Sequence, residues 1–279
     1  MSPVIKGGHG SDIPCQPNVV TLRNRQYTAP MCLICFQFSP DSDTPLTMVA
    51  NRDEFHARKS RGAHFWEDDP HVLAGIDVQA GGTWMGVTRD GRFAAITNVR
   101  RIPSPHEGSI SRGKLVADFL RQRLNCESYL QKIHDQGSLY DGFNLIVGDR
   151  QQCWYLSNHN GEGPRQLAPG LYGLSNAQLD THWPKVEFAK QALGQWLSQS
   201  LDAPLYSLLS NQQGYPKDQL PDTGIGEEWE ELLSPAFIKS PAYGTRASTG
   251  LQIHKDNIQL QEASFDSQGK LDNLLSFEF

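Results

Sequence analysis

Apolar residues occur in short runs along most of the chain, separated by stretches rich in glycine, proline, serine and aspartate. This pattern is typical of β-strands joined by turns. The first two runs, residues 31–38 and 46–50, flank a turn-rich stretch and are expected to pair as a β-hairpin. Further strands are expected at residues 71–76, 83–88, 93–97, 143–147, 153–157, 250–254, 258–265 and 274–279.

Between these strands the period of the apolar residues changes to that of an amphipathic helix. Residues 111–124 place their apolar side chains on one helical face, and residues 183–197 do the same. A second helix is expected to end near Gly137. Strands linked by hairpins, with helices in separate blocks, predict an α+β fold in which two antiparallel sheets lie under helices.

The first thirty residues have a different character from the rest. Residues 1–30 contain glycines and prolines without sustained periodicity, and they lack the apolar stretch of a signal peptide. We expect them to be a disordered tail or the product of a start site upstream of the true one. Met31 precedes a small residue, the setting in which an initiator methionine is normally removed. Residues 31–279 are then expected to form a single domain.

Composition limits the classes of partner. The chain has 279 residues, of which 38% are hydrophobic and 20% charged, with a net charge of −6. This balance is ordinary for a globular protein and argues against nucleic acid or an anionic membrane as the main partner. No apolar run is long enough to span a bilayer. The odd count of five cysteines favours reduced thiols and hence a cytoplasmic protein.

Cys32 and Cys35 form a Cys-x-x-Cys motif at the start of the first strand. Such a pair can be a redox centre or part of a zinc site. In a strand, however, residues three apart point to opposite faces, so the two thiols are not expected to share an ion or a bond. Cys35 is expected to be a buried structural residue, whereas Cys32 remains a candidate nucleophile.

The run Asn51-Arg52-Asp53-Glu54 stands directly after the predicted second strand. Charged residues at a strand end commonly form a solvated turn. If the hairpin forms, however, Arg52 and Asp53 return beside Cys32. A guanidinium there would lower the thiol pKa and favour the thiolate. Asp53 would orient the arginine or bond a free amine on Cys32.

Two asparagines and an arginine complete the candidate chemistry. Asn98 and Asn176 each follow a short apolar segment, and Arg246 precedes a predicted closing strand. A side-chain amide at a strand end can donate to a developing oxyanion or cap a turn. Arg246 and Arg52 are either surface residues or receptors for a substrate carboxylate or phosphate.

Several short motifs in this order resemble the NRDE family, whose animal members are the transport and Golgi organisation 2 proteins. The resemblance covers residue 31 to about residue 279. The motifs that carry it are Met31-Cys32-Leu33-Ile34, Asn51-Arg52-Asp53-Glu54, Gly82-Thr83-Trp84-Met85-Gly86, Thr97-Asn98-Val99-Arg100 and Ser111-Arg112-Gly113.

The NRDE family is similar to N-terminal-nucleophile (Ntn) hydrolases of the penicillin acylase and bile-salt hydrolase kind. The resemblance implies a four-layer αββα sandwich with Cys32 as nucleophile once the preceding residues are removed. In the hydrolases the arginine and aspartate are not adjacent, so Asp53 and Glu54 remain rivals for one role. The residues that match the hydrolase order are Cys32, Arg52, Asp53, Asn98, Asn176 and Arg246.

The resemblance implies two functions. The first is an amide hydrolase or acyltransferase acting on a small acyl or amide substrate, with no metal and no cofactor. The free α-amine of Cys32 would serve as base for its own thiol. The alternative is a non-enzymatic carrier of an amphipathic ligand such as haem, an acyl-CoA or another lipid, using the same cleft without turnover.

Overall fold

The computed structural model describes residues 31–100, 108–199 and 202–279. The predicted tail, residues 1–30 with Cys15, lies outside the described residues. Two antiparallel sheets and four α-helices make up the described part, an α+β fold as the sequence predicts. The strands are β1 (Met31–Phe38), β2 (Leu46–Phe55), β3 (Ser60–Phe65), β4 (Val72–Asp77), β5 (Met85–Thr88), β6 (Phe93–Asn98), β7 (Phe143–Gly148), β8 (Cys153–Ser157), β9 (Arg165–Leu167), β10 (Gly170–Leu174), β11 (Tyr243–Ile253), β12 (Ile258–Phe265) and β13 (Leu271–Glu278), and the helices are α1 (Gly113–Arg121), α2 (Cys126–Asp135), α3 (Pro184–Gln199) and α4 (Glu227–Leu232).

The first sheet has the strand order β10-β1-β2-β11-β12-β13, and the second has the order β3-β4-β5-β6-β7-β8-β9. All pairings between these strands are antiparallel. The predicted hairpin of β1 and β2 is present, and its register sets Cys32 opposite Arg52.

Apolar side chains arrange the elements in layers. One core lies between the sheets and includes Phe36, Met48 and Phe93. Helices α1 and α2 cover the outer face of the second sheet, and α3 covers the outer face of the first. The order is therefore helix, sheet, sheet, helix. None of the helices in the described part of the chain has the length and apolar composition needed to cross a bilayer.

The sequence-based expectation for the Asn51–Glu54 run is wrong in one respect. Strand β2 does not end at Ala50 but continues to Phe55, so the four polar residues lie within the strand. The reason is that β2 is internal and pairs with β11 as far as Phe55 and Tyr243. Arg246 likewise lies inside β11, at an irregularity between Thr245 and Ala247, rather than before a strand.

The structure also differs from the sequence-based prediction at elements whose apolar pattern is weak. Strand β3 has a polar sequence, and α4 is a short, acidic helix, so neither was predicted from the pattern of apolar residues. The helix expected over residues 111–124 is the shorter α1, and Leu124 beyond it is 41% exposed. An exposed leucine therefore does not extend the apolar face of that helix.

The turn at Gly81 and Gly82 packs against the segment that contains Gly113, so two of the sequence motifs are in contact. Gly81 and Gly82 have φ values of 70° and 80°, in the region that favours glycine. A Cβ atom on Gly82 would lie 2.4 Å from the carbonyl carbon of Gly113, whereas one on Gly81 would meet nothing within 4 Å. The backbone of the Gly82 motif thus packs directly against the start of α1.

Gly82→Ala is expected to lower the free energy of unfolding by about 3 kcal/mol, since backbone strain adds to a clash with a backbone that cannot move away. Gly81→Ala carries the strain without the clash and should cost about 1 kcal/mol. Denaturant unfolding of the two variants measures the difference. Equal losses would show that the contact with Gly113 does not matter.

Candidate functional site

Cys32 lies at the start of β1 with its side chain directed between the two sheets. It lines a pocket of about 230 Å³ together with Arg52, Trp84 and Asn98. The residue is only 7% exposed. The first sheet supplies Cys32 and Arg52, while Trp84 and Asn98 come from the second sheet and the turn before it. The pocket is therefore formed at one end of the sandwich, where both sheets contribute side chains.

Cys35 lies on the opposite face of β1, as the strand geometry predicts. It is fully buried with Leu33 and Ala189 beneath α3. The four cysteines in the described residues are free thiols, so Cys32 and Cys35 do not form a disulfide. Within the described ranges, no group of three or more histidine, cysteine, aspartate or glutamate side chains is placed to hold a metal ion.

Arg52 is held in the pocket by carboxylates and an aromatic ring. Its guanidinium carbon lies 4.5 Å from the ring centre of Trp84. Its Nη2 atom is 3.7 Å from Glu54 Oε2 and 3.9 Å from Asp77 Oδ2. Arg58 shares these partners, with Nε 2.8 Å from Asp77 Oδ2 and 3.4 Å from Glu54 Oε2. Two arginines and two carboxylates thus form one network beside the thiol.

Asp53 lies on the other face of β2, opposite Met31 in the strand pairing. It is fully buried, and Oδ1 accepts a hydrogen bond of 2.6 Å from Thr245 Oγ1. Its Oδ2 is buried and has no hydrogen-bond partner among the described residues. The two rival carboxylates therefore have separate positions: Glu54 borders Arg52 and the pocket, whereas Asp53 lies on the side of the Met31 backbone.

The two asparagines are linked but line different pockets. Asn98 lines the pocket of Cys32, whereas Asn176 lines a neighbouring one of about 590 Å³. Asn176 is fully buried, and its Nδ2 donates to the backbone oxygen of Asn98 over 3.0 Å. Ser175 Oγ donates to the backbone oxygen of Cys32 over 3.1 Å. Asn176 thus holds the backbone of Asn98, and Ser175 ties this segment to β1.

Arg246 is not in the pocket of Cys32. It lines an adjacent pocket of about 440 Å³, and this pocket shares Arg52 and Trp84 with the first. Its Nη1 donates to the backbone oxygens of Phe55 and His56 over 3.3 and 3.1 Å. Arg246 therefore fastens the connection after β2, and the stacked pair of Arg52 and Trp84 borders both pockets.

The pKa of the Cys32 thiol is set by burial and by its charged neighbours. Burial, with a further contribution from the Asp53 carboxylate, raises the pKa of the Cys32 thiol to about 12. The Arg52 charge and the backbone N–H of Asp53, which points to the sulfur, lower that pKa but do not outweigh burial. With Met31 attached, Cys32 is a neutral thiol at pH 7.

Comparisons with known proteins identify the family. The family model described as Transport and Golgi organisation 2 matches residues 31–267. The chain belongs to the transport and Golgi organisation 2 family. It is similar to the Bos taurus Transport and Golgi organization protein 2 homolog, with 37% identity over 253 residues, 81% of this chain and 90% of the relative. The Homo sapiens homolog is 35% identical over 273 residues, 88% of this chain and 95% of the relative. The Drosophila melanogaster protein is 28% identical over 263 residues, 81% and 89% of the two chains.

In this member of the transport and Golgi organisation 2 family, a buried lysine also lies near the site. It was not among the residues predicted from the sequence. Lys185, in the first turn of α3, is 2% exposed, and its Nζ donates to the backbone oxygen of Leu233 over 3.0 Å. Burial and then the charge of Arg100 lower the pKa of Lys185 to about 8. Burial raises the pKa of Asp53 to about 6. A lysine on the apolar face of a helix was the signal available in the sequence.

Met31 is enclosed on the same side as Asp53. Its side chain is 1% exposed and packs with Leu233, Ile238 and Tyr243. Its backbone nitrogen donates to Tyr243 Oη over 2.8 Å. The backbone that leads into Cys32 is therefore held in a buried setting that contains one unpartnered carboxylate oxygen.

Proposed function

We propose that this protein is an amide hydrolase or acyltransferase of the N-terminal-nucleophile type, active in the form of the chain that begins at Cys32. One observation carries the proposal: the Cys32 thiol lines a pocket between the sheets together with Arg52 and Asn98. A nucleophile, a cation and a side-chain amide thus border one space in which a carbonyl group could be held. The membership of the family supports the same assignment by resemblance.

The reaction would begin with the free α-amine of Cys32, whose ordinary pKa is about 7.7–8.0 and which can accept the thiol proton. The sulfur bonds to the carbonyl carbon of an amide, and the carbonyl electron pair moves to the oxygen. The side-chain amide of Asn98 would donate to that oxyanion, a contribution worth on the order of 10²–10³ in rate. The electron pair then returns to re-form the carbonyl, the C–N bond breaks, and the leaving amine takes the proton from the ammonium of Cys32. Water or an acceptor amine attacks the resulting thioester, and the thiol of Cys32 is released.

Removal of Met31 is part of this proposal. While Met31 is attached, the nitrogen of Cys32 is an amide nitrogen without a basic lone pair. The thiol then lacks its proton acceptor, and its pKa of about 12 leaves it protonated at neutral pH. Cleavage before Cys32 supplies the amine beside the thiol and removes the apolar side chain that fills the space near Tyr243.

The proposal is tested by intact-mass analysis with a thiol-directed acylating probe. The form beginning at Cys32 is expected to take up one acyl group rapidly and to release it on incubation, whereas a form that keeps Met31 stays unlabelled. Cys32→Ala should abolish the labelling. Equal labelling of the two forms would overturn the proposal.

Cys35→Ala is the matched control for that experiment, because it removes a thiol three residues away on the opposite face of the same strand. It is expected to leave the labelling of Cys32 unchanged and to lower the free energy of unfolding by about 1 kcal/mol, the usual scale for a small core deletion. Denaturant unfolding and the same mass measurement check both values. Loss of labelling in this variant would contradict a purely structural role for Cys35.

A second candidate is a carrier that binds an acidic amphipathic ligand such as haem or an acyl-CoA without turnover. Three arginines, Arg52, Arg58 and Arg112, line the pocket, and the raised pKa of Cys32 favours an unreactive thiol. The names of the relatives refer to transport. Titration of the form that keeps Met31 separates the candidates: a carrier gives a haem Soret band or saturable acyl-CoA binding there, whereas the proposed enzyme requires the free amine for turnover.

A further inference from the structure

Lys185 and Asp53 lie on the outer side of the first sheet, near the backbone that leads into Cys32. Asp53 is the strand partner of Met31, and its Oδ2 is buried without a hydrogen-bond partner in the described part of the chain. Lys185 Nζ is anchored on the backbone oxygen of Leu233. The side chain of Leu233 packs in the same cluster as Met31. A buried cation and a buried anion therefore lie on the face of the first sheet toward which Met31, the residue before Cys32, directs its side chain.

We infer that Lys185 is a positioning residue for the reaction, which keeps the α-amine of Cys32 in its neutral, proton-accepting form. This inference rests on the proposed function, in which that amine is the base. A carboxylate alone beside the amine would stabilise its charged form, and an ammonium cannot accept the thiol proton. The ammonium of Lys185 opposes this effect because a nearby positive charge disfavours a second one.

Other charged groups surround the pair, and Arg100 acts on Lys185 more strongly than Glu230 does, so it adds to the positive charge there. Arg100 and Glu230 form a buried ion pair of 2.9 Å between the segment after β6 and α4. On β2, Arg52 is balanced by Glu54, 3.7 Å away. The titratable group from β11 is the Tyr243 hydroxyl, whose pKa burial keeps well above its ordinary value, so it stays neutral.

Asp53 and Lys185 act on each other, and Asp53 is the strand partner of the residue whose removal creates the amine. The lowered pKa of Lys185 and the raised pKa of Asp53 both arise mainly from burial, and each group opposes the shift of the other. The amine created by removal of Met31 would interact electrostatically with both of these charges. Its pKa will therefore depend on whether the lysine charge is present.

The test follows the titration of the amine directly. In the form beginning at Cys32, labelled with [¹³C]cysteine, the Cα shift of the N-terminal residue reports protonation of its amine. Lys185→Met, which keeps the volume and removes the charge, is expected to raise the amine pKa by about one unit. Lys185→Arg keeps the charge and should leave the amine pKa near the wild-type value. The lower limb of the pH profile for acylation of Cys32 should move with the amine.

Lys190→Gln is the matched control. Lys190 lies on the same helix and carries the same charge, but it pairs with Asp180 at 2.7 Å and acts on Cys35 rather than on Cys32. Removing it should leave the amine pKa unchanged. An equal shift in this variant would mean that only the overall charge matters, and it would overturn the inference.

A measurement without substitution covers the case in which Lys185→Met does not fold. With lysine labelled at ¹³Cε, the pKa of Lys185 in the wild-type chain should fall when the form that keeps Met31 is replaced by the form beginning at Cys32, because a second basic group now competes. An unchanged Lys185 pKa overturns the inference.

An amine that titrates near neutral pH, with a pKa that does not change when Lys185 is substituted, also overturns the inference but leaves the proposed function standing. An amine that stays charged well above neutral pH in wild type overturns the proposed function itself.

Discussion

An Arg52→Ala variant is expected to lose about 3 kcal/mol of its free energy of unfolding, because a buried carboxylate then loses one of its two charge partners. Glu54, 1% exposed, depends on Arg52 and on Arg58 for its compensation. The variant also removes a positive charge that opposes the raised pKa of Cys32. In the form beginning at Cys32, alkylation of the thiol at neutral pH should therefore slow.

Arg58→Ala is the control for this prediction. Arg58 shares the carboxylates of Arg52, yet its side chain is 22% exposed, and the arginine that lowers the pKa of Cys32 is Arg52. It should cost less stability and leave alkylation unchanged. Denaturant unfolding gives the free energies, and iodoacetamide kinetics over about pH 6 to 9, a range that brackets the ordinary thiol pKa, give the reactivity. Identical alkylation rates in wild type and Arg52→Ala would contradict the electrostatic role of Arg52.

Mild acidification is expected to stabilise the form that keeps Met31. The pKa of Asp53 is about 6 in the folded protein, raised by burial above its ordinary value of 3.8. A raised folded pKa contributes stability that is fully present below the unfolded pKa and is lost as the pH rises through the folded value. The contribution from Asp53, about 3 kcal/mol, should thus be lost as the pH rises from about 4 to about 6.

Lys185 gives the opposite dependence at higher pH. Its pKa is lowered from 10.5 to about 8, so its contribution is present above the unfolded value and is lost as the pH falls through the folded one. These two groups together predict the lowest stability between about pH 6 and pH 8. Urea unfolding at intervals of pH measures the profile.

Asp53→Asn tests the assignment, because it should flatten the profile between about pH 4 and pH 6. Asp266→Asn is the control: Asp266 is exposed, and hydrogen bonds from the backbone of Lys270 and then of Gln268 lower its pKa. A profile that keeps its full slope in Asp53→Asn would show that another group is responsible.

The sequence predicted the parts of the site that depend on local geometry. The turn between β1 and β2 is short, so the return of Arg52 beside Cys32 follows from the hairpin alone. The opposite orientation of Cys35 follows from the two-residue period of a strand. The motif around Asn98 was also placed correctly at the end of β6, because an apolar run ends there.

The sequence did not predict the parts that depend on distant partners. The Asn51–Glu54 run resembles a solvated turn until β11 pairs with it, and the residue that bonds Asp53, Thr245, lies 192 positions away. The cation that lowers the pKa of Cys32 was visible in the sequence, whereas the depth of burial that outweighs it was not. Lys185 was not predicted because its significance depends on Asp53, which lies on a strand remote in sequence. The helix alone shows only a single lysine on an apolar face.

The position of β1 inside the first sheet has a consequence for how the chain is made. Its two neighbours are β2 and β10, and β2 in turn needs β11, whose residues are 243–253. At the usual rate of about 5–20 residues per second, the hairpin of β1 and β2, with apolar residues such as Leu33 and Phe36, waits on the order of ten seconds or more for β10 and β11. Sheets assembled from such remote segments fold slowly and expose aggregation-prone edges meanwhile. Soluble expression should therefore depend on chaperones that hold the nascent chain, and on temperature, more strongly than the equilibrium stability of the finished domain would suggest.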